Sequence, residues 1–245
     1  APLRLEKHGH KIYSQNDEDG IIEEIFRRIG TTNRVFLEFG VENGLENNTL
    51  NLLNQDWTGC WIEAAPGDAE QIKWRFAAPI REKRLQFTQS LVDCSNINQL
   101  IEQFGLPHEI DLLGIDIDGN DYHVWKAIDR LDPRVVVIEY NAKFRPPARW
   151  VMAYDPLHKW DGTDQYGASL ESLTDLAQQK GYRLVGCSVV GSNAFFVRAD
   201  VAGNHFQEPA TAANFYQPAR YFLTPSYASG HAPGFGKGLP PDSVP

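Results

Sequence analysis

The chain has 245 residues, of which 42% are hydrophobic and 22% are charged, and its formal net charge is −9 at pH 7. This length suits one α/β domain with extensions better than two full domains, and the hydrophobic fraction is sufficient for a sizeable core. The acidic balance, without a block of Lys and Arg, argues against nucleic acid as a partner, because binding to a phosphate backbone requires a basic face.

The sequence also bears on cellular location. It has no run of about 18 apolar residues that would span a bilayer, and no signal-peptide pattern. The three cysteines, Cys60, Cys94 and Cys187, are widely spaced and match neither a zinc motif nor a disulfide framework. We therefore expect unpaired thiols in a cytoplasmic protein without a membrane span.

The first predicted helix covers residues 21–29, where apolar residues recur at helical spacing. The polar segment before it contains Ser14 and Asn16, either of which can cap the helix, and acidic residues that favour its first turn. One interpretation is that this segment only caps the helix. The other is that it lines a ligand cleft, and Gln15 and Glu18 are then expected to contact the ligand.

The apolar run 35–37 predicts a buried strand, which ends in a turn containing Gly40 and Gly44. Glycine permits a tight turn and a close approach of a ligand to the backbone. Glu38 continues the run, where a carboxylate is costly to bury unless it meets a partner such as a cationic amino group or a ribose hydroxyl. A solvated glutamate at a strand end is the alternative.

A helix is predicted at 46–53 and a second strand at 60–63, which also ends in an acid. Glu63 lies about 20 residues beyond the glycine turn, the position at which nucleotide-binding α/β units hydrogen-bond the ribose hydroxyls. The turn and the acid together are more specific than either feature alone. The alternative for Glu63 is a solvated strand terminus.

Helices and strands continue to alternate through the rest of the chain. We predict helices at 68–76, 96–104, 124–128 and 169–181, and strands at 85–92, 110–118, 134–141, 182–187 and 193–198. Such alternation builds right-handed βαβ units, so the expected fold class is α/β, a doubly wound, mostly parallel seven-stranded sheet. A short glycine-containing turn joins the last two strands into a hairpin, which predicts a terminal antiparallel strand.

Acidic and amide residues collect near the carboxyl ends of the predicted strands. They are Glu38, Glu63, Asp93, Asp116, Asp118, Glu139 and Asn141. Ligands of such sheets bind beyond these strand ends, at the point where the strand order reverses. Because neighbouring carboxylates repel one another, we expect a positively charged ligand among them.

The segment 142–163 is long, irregular and rich in aromatic residues, which is typical of functional loops. We predict that it covers the cleft as a lid, and a surface loop packed by its own aromatic side chains is the alternative. The ligand-binding domain is expected to span 1–203. Residues 204–245 are rich in Pro and Gly and are expected to form an extension over the surface.

Several short motifs occur along the chain in a fixed order: SQ at 14–15 with EDG at 18–20, FLEFG at 36–40 with Gly44, NT at 48–49, WIE at 61–63, IDIDG at 115–119, VIEYN at 137–141 and NAFF at 193–196. In these motifs and in the order of its elements, the chain resembles class I S-adenosyl-L-methionine (SAM)-dependent methyltransferases, and more narrowly the FkbM-like family. The resemblance implies a Rossmann-like methyltransferase fold and SAM as the cofactor.

The resemblance also implies roles for individual residues. Glu38 and Gly40 would hold the methionine part of SAM. Glu63 would bind its ribose, and Val92 with Asp93 would contact its adenine. The further cofactor contacts expected from the matching segments are Gln15, Glu18, Gly44, Asn48, Thr49 and Asp116.

The acids of the last parallel strands suggest a metal site. Asp116 and Asp118 lie two residues apart, so their side chains share one face of the strand, and Glu139 and Asn141 repeat this arrangement on the next strand. Oxygen ligands favour Mg²⁺ or Ca²⁺, and such an ion would lower the pKa of a substrate hydroxyl. The candidate metal ligands are Asp118, Glu139 and Asn141. In the alternative, these acids bind the cofactor and cap helices without metal.

Methyl transfer to a sugar-like hydroxyl also requires a base. The candidate catalytic residues are Asp118, His123 just beyond the acidic residues, and His158 on the expected lid. The predicted function is O-methylation of a small-molecule or saccharide-like acceptor with SAM, with Mg²⁺ assistance and homo-oligomerisation left open.

Two other functions stay open at this point. One is a non-catalytic protein of the same fold that binds SAM, a nucleotide or a partner. The other is a nicotinamide-dependent dehydrogenase, although Gly40 and Gly44 do not form its usual G-x-G-x-x-G motif.

Overall fold

The computed structural model describes residues 3–220. The strands in this range are β1 (Val35–Phe39), β2 (Thr58–Glu63), β3 (Leu85–Gln89), β4 (Glu109–Ile115), β5 (Asp132–Glu139), β6 (Tyr182–Cys187) and β7 (Asn193–Arg198). The helices are α1 (Glu18–Ile29), α2 (Leu50–Asn54), α3 (Pro66–Arg75), α4 (Ala77–Arg81), α5 (Ile97–Phe104), α6 (Asp121–Ala127), α7 (Leu170–Gln179), α8 (Ala199–Ala202) and α9 (Ala212–Phe215).

All seven strands join one sheet in the order β3-β2-β1-β4-β5-β7-β6. The first five run parallel, and β7 is antiparallel to both β5 and β6. The predicted fold class is therefore confirmed, and β7, the last strand within residues 3–220, lies between β5 and β6. The strand order reverses between β1 and β4, so a ligand cleft is expected beyond their carboxyl ends.

Apolar side chains cover both faces of the sheet, and the strands alternate between the two cores. Leu37 and Phe39 pack in the core beneath α5, α6 and α7. Phe36 lies on the opposite face, in the core that includes α1, α2 and α3. Because both faces are occupied, the carboxyl-end edge of the sheet is where polar side chains can meet a ligand.

The amino-end edge holds a buried ion pair. Asp111 of β4 is fully buried and lies 2.7 Å from Arg134 of β5. The backbone N–H groups of Thr32, Asn33 and Arg34 also donate to its carboxylate. This carboxylate therefore anchors the loop before β1 and lies at the other end of β4 from the predicted site.

The structure shifts some of the predicted boundaries. The helix predicted at 46–53 begins only at Leu50, and the N–H groups of Asn48 and Thr49 in the loop before it donate to Glu38. The strand predicted at 110–118 ends at Ile115, and Asp118 beyond it has a left-handed φ of 54°. In the first of these places, the loop before α2 is held by a contact with another part of the chain.

The described part of the carboxyl-terminal segment packs onto the domain. Phe206 and Phe215 are buried in the two cores, so residues up to 220 do more than cover the surface. The remainder of the predicted extension, 221–245, lies outside the described residues. Across residues 3–220, no helix has the length and apolar character needed to cross a bilayer.

Candidate active site

A cleft of about 600 Å³ opens beyond the carboxyl ends of the strands, around the β1–β4 switch point. Its wall includes many of the residues predicted from sequence, namely Gln15, Glu38, Gly40, Asn48, Glu63, Val92, Asp116, Asp118, Glu139 and His158. These residues come from seven separate stretches of the chain. The fold therefore gathers them at one edge of the sheet.

Other predicted residues lie outside the lining of this cleft. They are Glu18, Gly44, Thr49, Asp93, His123 and Asn141. Asp93 accepts hydrogen bonds from the N–H groups of Ser95 and Asn96 and so shapes the start of α5. Val92, its neighbour, is on the wall.

Glu38 organises the loop beside the glycine turn. Its carboxylate accepts the N–H groups of Asn48 at 2.9 Å and Thr49 at 3.0 Å, and the Thr49 hydroxyl at 2.5 Å. The indole N–H of Trp61 donates to the same hydroxyl. Burial raises the pKa of Glu38 to about 7, even though these donors favour its ionised form. Thr49 thus contributes to the site through Glu38 and not by lining the cleft.

Glu63 ends β2 on the wall of the cleft. Its Oε2 accepts the N–H of Glu42 at 2.8 Å, and its Oε1 accepts the N–H of Ala65 at 2.8 Å. Burial raises the pKa of this carboxyl above its usual value. Each carboxylate oxygen keeps a second lone pair for a further donor, such as a ligand hydroxyl.

Glycine at position 40 lets the turn after β1 lie against the loop after β4. Gly40 has a φ of 77°, and a Cβ placed there would overlap the carbonyl oxygen of Asp116. Asp121 fixes that loop from below, because its carboxylate accepts the N–H groups of Ile117 and Gly119 at 2.8 and 2.9 Å. The two loops form the floor of the cleft.

Three carboxylates meet at the β4–β5 side of the floor. One oxygen each from Asp116, Asp118 and Glu139 lie within 4.8 Å of one another. Burial and the charge of neighbouring carboxylates raise the pKa of Asp116 and of Glu139 well above their usual range. The Asp118 side chain is exposed to solvent within the cleft. The protein around it still removes part of its hydration, and this desolvation together with the negative charge of Asp121 raises the pKa of Asp118 to about 6.

Asn141, the third predicted metal ligand, is turned away from these acids. It is fully buried, and its Nδ2 donates to the carbonyl oxygens of Asp164 and Tyr166. Its Oδ1 accepts the N–H of Lys143. Asn141 lies two residues beyond the end of β5, so the alternation of a strand no longer sets its direction.

Asn193 occupies the position beside the acids for which Asn141 was predicted. It opens β7 directly opposite Glu139 in the antiparallel register, and it lines the cleft. Its Nδ2 donates to Glu18 at 3.0 Å, and Glu18 also accepts the N–H of Asn16. The buried Glu18 therefore acts through Asn193 and Asn16, both of which line the cleft. Sequence analysis assigned Asn193 no role in the site, although it begins the NAFF motif at 193–196 and the strand predicted at 193–198.

The two histidines have different surroundings. His123 packs edge-on against Tyr122 and Tyr154, its Nε2 lies 2.7 Å from the carbonyl oxygen of Met152, and burial lowers its pKa. His158 lines the cleft, and its Nε2 lies 3.0 Å from the carbonyl oxygen of Asp118.

Because a carbonyl oxygen only accepts, Nε2 of His158 carries the proton in the neutral ring, and Nδ1 is the ring's proton acceptor. The ring also packs on Gly119, where a Cβ would overlap it. These contacts hold the imidazole beside the acids.

The segment 142–163 contributes one wall of the cleft through Pro156, His158, Lys159 and Trp160. The Nδ2 of Asn120 donates to the carbonyl oxygen of Asp155 at 2.7 Å, which ties the segment to the loop after β4. Phe144 and Trp150 stack at 4.3 Å within the segment. Its predicted function as a lid stays a prediction.

Several further lining residues were not singled out from sequence. They include Glu42, Asn47, Asp68, Leu91, Tyr166 and Ser192. Glu42 has a left-handed φ of 47°, an uncommon conformation for a glutamate. The position of Glu42 within the glycine turn was a signal that the sequence offered, whereas Tyr166 and Ser192 reach the cleft only through the tertiary fold.

The model of the methyltransferase FkbM domain matches residues 25–184 of this chain. Comparison with curated proteins gives no match.

Among solved structures, the N-terminal domain of EvdMO1 with SAH bound is 13% identical, with 76% of this chain and 80% of that chain covered and a TM-score of 0.44. An S-adenosylmethionine-dependent methyltransferase from Clostridium acetobutylicum ATCC 824 is 12% identical, with coverage of 72% and 88% and a TM-score of 0.43. The O-methyltransferase from Bacillus cereus in complex with SAH is 16% identical, with coverage of 71% and 76% and a TM-score of 0.47.

Proposed function

The chain belongs to the methyltransferase FkbM domain family, and we propose that it is a SAM-dependent O-methyltransferase acting on a hydroxyl of a small-molecule or saccharide-like acceptor. Family membership supports methyl transfer. The choice of SAM as donor and of oxygen as the methylated atom is supported by the chemistry of the cleft.

The observation that carries the proposal is the position of Glu63. Its carboxylate ends β2, next to β1 in the sheet, and lines the cleft. Each oxygen holds one backbone N–H and keeps a lone pair that a ribose hydroxyl can use. Leu91 and Val92 supply apolar surface next to it, which suits an adenine ring. The residues present therefore fit the cofactor.

The turn after β1 suits the other end of SAM. Gly40 lines the cleft, and the wall beside it carries Glu38, Glu42 and Asp116. When bound, SAM supplies a methyl group activated by a sulfonium cation. Carboxylates in a partly desolvated cleft attract that cation.

The acceptor is proposed to lie at the β4–β5–β7 side of the cleft. Asp118, Glu139 and Ser192 line this side and can accept or exchange hydrogen bonds with a polyhydroxylated molecule. A strongly anionic acceptor would be repelled by these acids. The carboxylates therefore favour a neutral or cationic acceptor, such as a saccharide.

His158 is the proposed proton acceptor for the acceptor hydroxyl. Its Nε2 is held by the Asp118 carbonyl oxygen, which leaves Nδ1 to take a proton. His123 is proposed to have a packing role, because its ring nitrogen is directed to Met152 and it does not line the cleft. Most of the rate enhancement is expected from positioning of the two reactants.

Divalent-metal assistance is part of the proposal, with Asp118 and Glu139 retained as ligands. We also propose that 1–203 forms the methyltransferase domain, with 142–163 as its lid. The three cysteines are unpaired, which fits the predicted cytoplasmic location.

The experiment is transfer of a tritiated methyl group from SAM to a panel of saccharides, phenols and amines. We expect the tritiated methyl group to appear in hydroxylated acceptors, attached to an oxygen atom that mass spectrometry identifies. Label only in amines would contradict O-methylation. Saturable SAM binding with no transfer to any acceptor would favour the non-catalytic alternative, and binding of NAD in place of SAM would favour the dehydrogenase.

A further inference from the structure

The spacing of three carboxylates matches the coordination shell of one hard cation. One oxygen each of Asp116, Asp118 and Glu139 lie within 4.8 Å of one another. Mg²⁺ and Ca²⁺ bind oxygen at about 2.0–2.6 Å, so two ligand oxygens on opposite sides of an ion lie roughly 4–5 Å apart. The three oxygens can therefore share one ion without rearrangement of the backbone.

A buried amide oxygen beside the carboxylates points independently to a ligand. Asn193 is 4% exposed, lines the same cleft and pairs with Glu139 across the β5–β7 ladder. Side chains of such a pair stand next to each other on one face of the sheet. Asn193 Oδ1 has no hydrogen-bond partner among residues 3–220, and neither has the buried Oε2 of Glu139.

The orientation of the Asn193 amide is fixed by its other end. Its Nδ2 donates to the fully buried Glu18 at 3.0 Å, and a carboxylate can only accept from it, so Oδ1 is the free end. Buried polar atoms in folded proteins are nearly always satisfied by protein, water or an ion. An oxygen held unpaired beside Glu139, in the cleft that Asp116 and Asp118 also line, is an atom that a cation would complete.

From this geometry we propose that Asp116, Asp118, Glu139 and the Oδ1 of Asn193 form a binding site for one hard divalent cation of the Mg²⁺ or Ca²⁺ class. The four ligands are all oxygen atoms, which is the donor set of these ions. The site replaces Asn141 of the sequence-based set by Asn193. The ion would orient an acceptor hydroxyl beside His158, and only this role rests on the proposed function.

The test is a titration of the metal-free full chain with Mn²⁺ in the absence of SAM and acceptor. The free Mn²⁺ concentration is measured from its electron paramagnetic resonance signal. We expect one saturable site that Mg²⁺ or Ca²⁺ competes for. Asp118→Asn and Glu139→Gln should each weaken Mn²⁺ binding at least about tenfold, because each removes a charged ligand. Asparagine tolerates the left-handed backbone of position 118, so Asp118→Asn should fold.

The matched control is Glu70→Gln, which removes an exposed carboxylate on α3 that does not line the cleft. It should leave Mn²⁺ affinity nearly unchanged. Absence of saturable Mn²⁺ binding, or binding that both ligand variants retain, would overturn the site. Calorimetry with SAM on the same samples separates the two proposals: SAM binding without Mn²⁺ binding removes only the ion site, whereas Mn²⁺ binding without SAM binding supports the site and contradicts the proposed function.

Discussion

The backbone of Gly40 lies directly against the carbonyl oxygen of Asp116, and a Cβ on Gly40 would overlap that oxygen. The contact joins the turn after β1 to the loop after β4 across the switch point of the sheet. It therefore sets the distance between the Glu63 half of the cleft and the half that holds the acids. The cleft depends on a glycine at this position.

Replacement of Gly40 by alanine tests this dependence. Gly40→Ala combines a steric overlap with a positive φ, so we expect a loss of roughly 1–3 kcal/mol in unfolding free energy. SAM affinity measured by calorimetry should fall at the same time, because both loops move. Gly67→Ala is the control, since a Cβ there meets nothing within 4 Å. Equal behaviour of the two variants would contradict the argument.

The raised pKa of Glu38 predicts a pH dependence of folding stability. The pKa rises from 4.5 to about 7 on folding, so the folded carboxyl keeps its proton while the unfolded chain ionises. The contribution of Glu38 to the unfolding free energy is fully present below pH 4.5 and is lost as the pH rises to about 7. Above that pH no further change from this group is expected. With about 1.4 kcal/mol for each pKa unit, the decline is on the order of 3 kcal/mol at most.

Urea unfolding of wild-type protein and Glu38→Gln at pH 5 and at pH 7.5 checks this expectation. The wild type should lose more stability than the variant over that interval, because glutamine does not titrate. Parallel losses would show that other groups cause the decline. Asp17, whose burial raises its pKa to about 6, contributes in the same direction to both proteins.

Kinetic measurements on alanine variants should distinguish the roles of His158 and His123. His158→Ala should lower kcat for methyl transfer by about 100-fold or more, the usual effect of losing a general base. Its effect on SAM affinity should be small, since its contacts are with Asp118 and Gly119 on the acceptor side.

His123→Ala should lower unfolding free energy and change kcat little, because its ring packs between Tyr122 and Tyr154. If His123→Ala abolished turnover in a folded protein while His158→Ala did not, the assignment of the proton acceptor would be wrong.

Asp111 provides a contrast at the opposite end of β4. Asp111→Asn leaves Arg134 without its buried counter-charge, so we expect a loss of about 3–5 kcal/mol in unfolding free energy. SAM binding by the remaining folded protein should be unchanged, because Asp111 is remote from the cleft lining. Asp129→Asn, an exposed replacement, should change neither quantity. A specific loss of SAM affinity in Asp111→Asn would contradict the division between the two edges.

The periodic parts of the sequence were sufficient for the fold. The apolar runs located every described strand of the sheet within a few residues, and the hairpin at the end was assigned to β6 and β7 with the observed bounds. The position of Glu63 at the cleft also followed from its spacing after the glycine turn. In each case a local pattern and the sheet geometry agree.

Tertiary neighbours were not predictable in the same way. Asn193 reaches Glu139 only because β7 inserts between β5 and β6, a strand order that the chain order does not specify. Asn141 was assigned to the acids by extending strand alternation past the end of β5, where the backbone turns. Glu38 fixes the loop before α2 by accepting the N–H groups of Asn48 and Thr49, which lie ten and eleven residues further along the chain.

The sharpest test of SAM binding in this cleft is calorimetric titration with SAM of the wild type, of Glu63→Gln and of Glu70→Gln, an exposed control on α3. We expect saturable binding of one SAM per chain. Glu63→Gln should weaken it about 10- to 100-fold, because two ribose hydroxyls lose a charged acceptor, and Glu70→Gln should leave it unaltered. No heat of SAM binding to the folded wild type, or equal affinity in Glu63→Gln, would contradict this expectation.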